Sequence, residues 1–122
     1  VSSLDRMNSL VFHITSRSQW QQPQQLGVYR ADSLDSEGFI HFSLLDQVVR
    51  SANKFFAGQS QLVLLTIDPS RLQAELRYDP IASGELFPHL YGPLNVDAVI
   101  QVFDLETNRE GLFVLPQGIV QG

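Results

Sequence analysis

The most restrictive stretch of the chain is an uninterrupted apolar run at residues 61–67, QLVLLTI, which is closed by Asp68 and Pro69. A strand with one face in water alternates apolar and polar residues, whereas a short continuous apolar run is typical of a strand covered on both faces. We therefore predict a central strand here. The rest of the chain must then supply packing layers on either side of it.

Helical spacing of apolar residues follows Ser43 and stops at Gly58, which we expect to cap the two ends of one helix. The repeating positions are Leu45, Val48, Val49, Ala52, Phe55 and Phe56. Ser43 is therefore interpreted as a helix cap rather than a nucleophile. A shorter helix, capped by Thr15 or Ser16, is expected to run to about residue 26.

The remaining signals are mostly those of strands. We predict strands at residues 9–15, 39–43, 74–79, 97–105 and 111–116, a turn-rich segment at 27–38, and a loop at 84–95, where prolines and glycines accumulate. The order predicts one α+β domain at residues 9–122, with two helices in the N-terminal half and a mainly antiparallel, curved or split sheet. Residues 1–8 are expected to form a flexible tail.

The composition narrows the possible functions. Thirteen acidic residues against eight basic ones give a net charge of −5, which disfavours nucleic acid as a partner because phosphate binding depends on lysine and arginine. The chain has no cysteine, which excludes disulfides and thiolate chemistry and fits a cytoplasmic protein. No run approaches the ~18 apolar residues of a membrane-spanning helix, so no membrane partner is expected.

All three histidines of the chain sit among large apolar residues: His13 in LVFHITS, His41 in SEGFIHFS and His89 in LFPHLYGPL. A single histidine in such a setting is more often a packed residue with a backbone hydrogen bond than a functional one. Three in the same setting favour a shared site. We therefore predict that the three imidazoles meet in one cleft.

Two kinds of site suit this set. Three imidazoles can hold a metal ion such as zinc, although their wide spacing gives this alternative little support, and we expect no metal. The second kind binds a small-molecule nucleotide ligand. Hydroxyl groups of Thr15, Tyr29, Ser43 and Tyr91 would hold ribose or phosphate oxygens beside His13, while aromatic rings stack on a base.

Five segments occur in an order that resembles a known family: VFHIT, SLDSEGFIHFS, ANKFFAG, LVLLTIDPSRL and GELFPHLYGPL. The family is bacterial and is catalogued only as domain of unknown function number nine-five-two. The resemblance implies an ADP-ribosyltransferase-like fold, with a more distant similarity to RNA 2′-phosphotransferases. It also implies NAD as a possible cofactor.

The resemblance also implies roles for individual residues. His13 takes the place of a histidine that bonds an NAD ribose hydroxyl, and His41 and Ser43 fall on the strand that supports the nicotinamide ribose. A glutamate is common at the third motif position, for which His89 and Glu85 are the best candidates.

Two further acidic residues enter the prediction. Asp79 stands where we would expect glutamate in relatives. Glu37 or Glu85 could stabilise the positive charge that develops on the ribose when the nicotinamide bond breaks. We therefore assign His41, His89 and Glu85 to catalysis.

The sequence thus predicts an NAD- or nucleotide-utilising enzyme of the ADP-ribosyltransferase or phosphotransferase type. A non-catalytic module that binds a nucleotide or another small molecule on the same fold stays open as an alternative. The metal site with three histidines is a second alternative. Whether the chain is catalytically active, and in which oligomeric state, is left open by its sequence.

Overall fold

The fold is described by a computed structural model over residues 10–22 and 27–119. The strands in these ranges are β1 (Val11–Ser16), β2 (Val28–Tyr29), β3 (Ile40–His41), β4 (Leu62–Ile67), β5 (Glu75–Pro80), β6 (Leu86–Tyr91), β7 (Leu94–Asn95) and β8 (Val99–Leu105). The helices are α1 (Arg17–Gln21), α2 (Asp32–Glu37) and α3 (Val48–Phe55), with 3₁₀ turns at Leu45–Gln47, Pro69–Arg71 and Val96–Ala98. The predicted tail at residues 1–8 lies outside the described residues.

The predicted central strand is confirmed as β4, whose six residues are all buried. It pairs with β1 on one side and β8 on the other, giving a three-stranded antiparallel sheet in the order β1-β4-β8. Because neighbouring side chains of a strand point to opposite faces, β4 can be apolar throughout only if both faces of the sheet are covered.

Two hydrophobic cores cover the two faces. The first core packs α3 against one face through Phe12, Ile14, Val48, Ala52, Leu62, Leu64, Leu105 and Phe113. The second core fills the space between the opposite face and a further sheet through Val11, Tyr29, Ile40, Phe42, Val63, Leu65, Ile67, Leu90 and Leu94. Sharing of β1 and β4 between both cores unites the described residues in one small domain.

The further sheet has the order β3-β6-β5, and β2 pairs with β7 beside it. Every strand pairing in the described ranges is antiparallel. The predicted α+β class with a split, mainly antiparallel sheet is therefore confirmed. Within those ranges, none of the helices has the length and apolar content needed to cross a membrane.

The predicted loop at residues 84–95 is wrong, because it contains β6 and β7. Pro88 lies inside β6, where its carbonyl accepts a hydrogen bond of 2.9 Å from the N–H of Phe42. A proline disrupts a strand chiefly through its missing N–H, and only one position of the ladder is affected here. β6 is stabilised by pairing with β5 along its whole length, from Leu86 to Tyr91.

Other boundaries also differ from the prediction. The segment 27–38 contains β2 and α2 as well as turns, and α2 ends at Gly38, whose φ of 89° is left-handed. The predicted strand at 111–116 is reduced to one bridge between Thr107 and Phe113. That run lacks a partner strand along its length in the described residues.

One of the two predicted helix starts is confirmed and the other is wrong. Ser16 caps α1 as expected, because its hydroxyl accepts a hydrogen bond of 3.1 Å from the N–H of Gln19. The predicted continuation to residue 26 falls partly on residues 23–26, which lie outside the described ranges. Ser43 is not a helix cap: its N–H and carbonyl form a bridge with Phe12, and a 3₁₀ turn precedes α3.

We expect Gly92→Ala to lower the free energy of unfolding by about 1–3 kcal/mol, as at other overpacked positions. A Cβ atom at Gly92 would lie 2.6 Å from the Cβ of Ala74. Urea denaturation at neutral pH measures the effect. In an Ala74→Gly background the cost of Gly92→Ala should be smaller, because the clashing methyl is gone and only the cost of the backbone conformation at a φ of 159° remains. An equal cost in both backgrounds would show that this contact is not the cause.

Candidate functional site

The pairing of β3 with β6 brings two of the three histidines together. His41 lies directly opposite His89, and their ring centroids are 5.2 Å apart at an interplanar angle of 84°. The N–H of Phe42 bonds the carbonyl of Pro88, so the adjacent pair, His41 and His89, is the non-hydrogen-bonded kind. In such pairs the Cα atoms are only about 4.5 Å apart, and this explains the ring contact.

Asp79 orients the imidazole of His89. The Nδ1–H of His89 donates to Asp79 Oδ2 at 2.9 Å, and the hydroxyl of Tyr91 donates to the same oxygen. The hydrogen bond from Tyr91 is the main reason that the pKa of Asp79 lies below its usual value, and the bond from His89 acts in the same direction. Asp79 is therefore a carboxylate that fixes both rings.

The second ring nitrogen of His89, Nε2, differs from Nδ1 in its surroundings. Nε2 makes no hydrogen bond within the described residues, where Thr66 Oγ1 is the buried side-chain polar atom without a partner. Nε2 is therefore not fully enclosed, although the side chain of His89 is only 8% exposed. An imidazole held at Nδ1 by a carboxylate and open at Nε2 is suited to accept or donate a proton.

Phe39 and Glu37 complete one side of the site. Phe39 stacks on His89 with centroids 4.1 Å apart, and its ring meets the ring of His41 in a T-shaped arrangement with centroids 4.9 Å apart. The left-handed turn at Gly38 leads the chain from α2 into this position. Glu37, the last residue of α2, lies 3.1 Å from His41 Nε2, and the side chain of His41 is 53% exposed.

The other side of the site is formed by β5. The guanidinium of Arg77 lies 4.6 Å from the ring centroid of Tyr91 and pairs with Glu75 at 2.9 Å. These residues share a face because Arg77 is paired with His89 and Glu75 with Tyr91. We refer to the set Glu37, Phe39, His41, Glu75, Arg77, Asp79, His89 and Tyr91 as the imidazole face.

His13 lies beneath this face, enclosed in the second core. Its Nδ1 donates to the carbonyl of His41 at 2.7 Å, and its Nε2 is hydrogen-bonded at 2.9 Å to the hydroxyl of Tyr29. That hydroxyl is also hydrogen-bonded to Thr15 Oγ1 at 2.8 Å. Burial lowers the pKa of His13 from 6.5 to about 4, so the ring is neutral at pH 7.

The predicted single cleft of three imidazoles is thus corrected by the geometry. Of the predicted residues, the structure brings together on the imidazole face His41, His89, Tyr91, Glu37 and Asp79. His13, Thr15 and Tyr29 form a separate buried chain, because both nitrogens of His13 already have partners inside the protein. Ser43 is buried, and its backbone is engaged in the bridge to Phe12.

Glu85 is also separated from the histidines. It lies four residues before His89 on the chain, about 13 Å along an extended strand. Its carboxylate pairs with Arg50 at 2.7 Å and accepts a hydrogen bond of 3.0 Å from Gln47. Arg50 is the main cause that lowers the pKa of Glu85 to about 2. The ion pair of Glu85 with Arg50 therefore connects the β5–β6 hairpin to α3.

Three residues of the imidazole face are not assigned from the sequence: Phe39, Glu75 and Arg77. The orienting role of Asp79 is not assigned from it either. The missing signal was the register between β5 and β6. Alternation within residues 86–91 would have placed Phe87, His89 and Tyr91 on one face, opposite Asp79, had that segment been predicted as a strand.

The alternative of a metal site with three histidines is not supported by this geometry. The nitrogens of His13 are occupied, and the described residues contain no group of three or more histidine, aspartate or glutamate side chains arranged to hold a metal ion. A groove elsewhere on the surface, lined by residues that include Phe103, Glu106 and Leu115, contains none of the predicted site residues.

Comparison with known proteins places the chain in a family. The family described as protein of unknown function (DUF952) matches residues 14–102. The crystal structure of protein CC0527 from Caulobacter crescentus is 34% identical and has a TM-score of 0.80, covering 87% of this chain and 94% of that one. Its solution NMR structure is 35% identical with a TM-score of 0.74, covering 84% and 90%. No functionally curated protein matches the chain.

We expect the free energy of unfolding to fall by about 2 kcal/mol between pH 6.5 and 4.5 because of His13. The unfolded chain binds a proton near pH 6.5, whereas burial keeps the native ring neutral down to about pH 4. Stability is therefore lost as the pH falls through this window. Urea denaturation at several pH values measures the slope.

The matched control is His13→Asn, which cannot titrate. Between pH 6.5 and 4.5 the free energy of unfolding of His13→Asn should fall by about 2 kcal/mol less than that of the wild type. This difference does not depend on how stable the variant is at pH 7. Depressed carboxylates such as Glu85 act at lower pH, as the pH falls from 4.5 towards 2. The same slope in the wild type and in His13→Asn would contradict the assignment.

Proposed function

The chain belongs to the DUF952 family, and from its imidazole face we propose that it is a nucleotide-utilising enzyme, with NAD as the leading substrate. The single observation that carries this proposal is the Asp79–His89 pair, whose imidazole ring contacts the exposed imidazole of His41. A histidine that acts as an acid–base catalyst needs one ring nitrogen that the substrate can reach. A carboxylate at the other nitrogen fixes the tautomer and the orientation of the ring.

The proposed reaction is transfer of ADP-ribose from NAD to an acceptor O–H group. The bond between the ribose C1′ and the nicotinamide nitrogen breaks, and its electron pair stays on nicotinamide. The acceptor oxygen bonds to C1′ and gives its proton to Nε2 of His89, while Asp79 accepts the hydrogen bond from Nδ1–H. Glu37 supplies negative charge near the positive charge that develops on the ribose.

His41 and the aromatic rings would orient the substrate in this proposal. His41 can donate a hydrogen bond to a ribose or phosphate oxygen, because its side chain is half exposed and its nearest partner is the exposed Glu37. The rings of Phe39 and Tyr91 lie 5.3 Å apart and provide flat apolar surface for a nicotinamide or a base. Such positioning lowers the barrier by fixing the reacting groups in place.

The same residues would also serve phosphoryl transfer, in which His89 removes the proton of the attacking hydroxyl and His41 protonates the leaving oxygen. We keep this as the second candidate because two adjacent imidazoles can divide the roles of base and acid. We also propose that the two facing sheets are related to those of ADP-ribosyltransferases, as the motif resemblance implies. NAD remains the first substrate to test.

We expect NAD to be bound and turned over, and His89→Gln to lower the rate of nicotinamide release by roughly 100-fold, a typical contribution of a general base. Isothermal titration with NAD and with ADP-ribose measures binding. Chromatography of released nicotinamide measures turnover. Asp79→Asn should lower the rate by roughly tenfold or more, because an amide no longer stabilises the proton on Nδ1 of His89.

Asp104→Asn is the matched control for Asp79→Asn. It is the same acid-to-amide change on a strand residue with an ion-pair partner, Arg17, in the other three-stranded sheet. It should leave the rate unchanged. If NAD binds but is not turned over, the chain is a non-catalytic binding module and not an enzyme. Absence of binding of either compound at millimolar concentration would overturn both proposals for NAD.

A further inference from the structure

His13 cannot contact a ligand in the described conformation, yet it makes one unusual contact. Its ring is buried between Tyr29 and Phe42, at centroid distances of 5.3 and 5.6 Å. Its Nδ1–H donates at 2.7 Å to the main-chain carbonyl of His41, the residue whose side chain lies on the imidazole face. The hydrogen bond therefore joins the enclosed histidine to the exposed one.

The carbonyl of His41 needs this donor because of where the chain crosses between the two sheets. His41 and His89 form a non-hydrogen-bonded pair, so the N–H and carbonyl of His41 point away from β6 and towards β1. Pairing with β1 at this point consists of the single bridge between Phe12 and Ser43. If the pairing with β1 continued, Ile14 would lie opposite His41 and its N–H could bond the His41 carbonyl. The carbonyl instead accepts its hydrogen bond from the imidazole of His13.

We propose that His13 is a positioning residue: its Nδ1–H fixes the peptide plane of His41 and thereby aims the His41 imidazole at the ring of His89. This role differs from the ribose contact that sequence resemblance implies for His13. The consequence for catalysis rests on the proposed function of the imidazole face. The geometric role itself does not, because it concerns the contact between His41 and His89.

Tyr29 and Thr15 act in this proposal as the outer support of His13. A carbonyl oxygen only accepts, so the neutral ring must carry its proton on Nδ1. The Tyr29 hydroxyl contacts the other nitrogen and holds the ring from the opposite side. These residues, although enclosed, would then influence the site through the orientation of a single peptide.

Two amide substitutions separate the nitrogens of His13. His13→Asn places an N–H donor near the position of Nδ1, whereas His13→Gln places its amide near the position of Nε2. Circular dichroism first establishes that each variant is folded at pH 7. Nuclear Overhauser effects between the imidazole protons of His41 and His89 then report whether the two rings keep their contact.

We expect His13→Asn to retain the contact between the rings and His13→Gln to lose it. Affinity for ADP-ribose should change by about twofold or less in His13→Asn and weaken by about tenfold in His13→Gln, the effect of one lost hydrogen bond. A residue that only stabilises the core would lower the stability of both variants without separating their ring contacts. Retention of the ring contact in His13→Gln would overturn the proposal.

A measurement on the wild-type chain decides the matter if neither variant folds. Nitrogen-15 spectra of the imidazoles should show the proton of His13 on Nδ1, with slow exchange and a coupling across the hydrogen bond to the His41 carbonyl carbon. A proton on Nε2 would contradict the inference. Failure of ADP-ribose to bind, with these couplings present, would instead count against the proposed function alone.

Discussion

The position of the candidate site depends on residues 40–43, where the chain crosses from one sheet to the other. Phe42 donates to Pro88 of β6, and the next residue, Ser43, exchanges two hydrogen bonds of 2.7 and 2.8 Å with Phe12 of β1. Within residues 40–43 the chain thus changes from pairing with β6 to pairing with β1. Because Ile40 and Phe42 face the second core, His41 between them must face outward, and the site arises where the two sheets are joined.

The site combines an enclosed set of polar groups with an exposed one. His13, Tyr29 and Thr15 are buried and contact one another through the Tyr29 hydroxyl, which favours a fixed geometry. The side chain of His41 is half exposed, and Nε2 of His89 makes no hydrogen bond within the described residues. Asp79 couples His89 to Tyr91 within the exposed set, and the His41 peptide couples the exposed set to the enclosed one.

Local patterns predicted the elements whose signal is contained in their own residues. β4 follows from seven consecutive residues and α1 from its serine cap, whereas β6 was missed because Pro88 and the flanking glycines outweighed its alternation. The proximity of His41 and His89 was expected, but their geometry depends on strand register, which no short segment encodes. For the same reason the motif resemblance indicates the position of Asp79, whereas its hydrogen bond to His89 follows only from the register between β5 and β6.

The double covering of β4 has a consequence for the motions of the molecule. Its residues are buried on both faces, and its main-chain groups are bonded to β1 on one edge and β8 on the other. Fraying of an outer strand therefore leaves one flank of β4 intact. Its amide protons should exchange with heavy water only when the whole domain opens, and their exchange rates become an internal gauge of global stability.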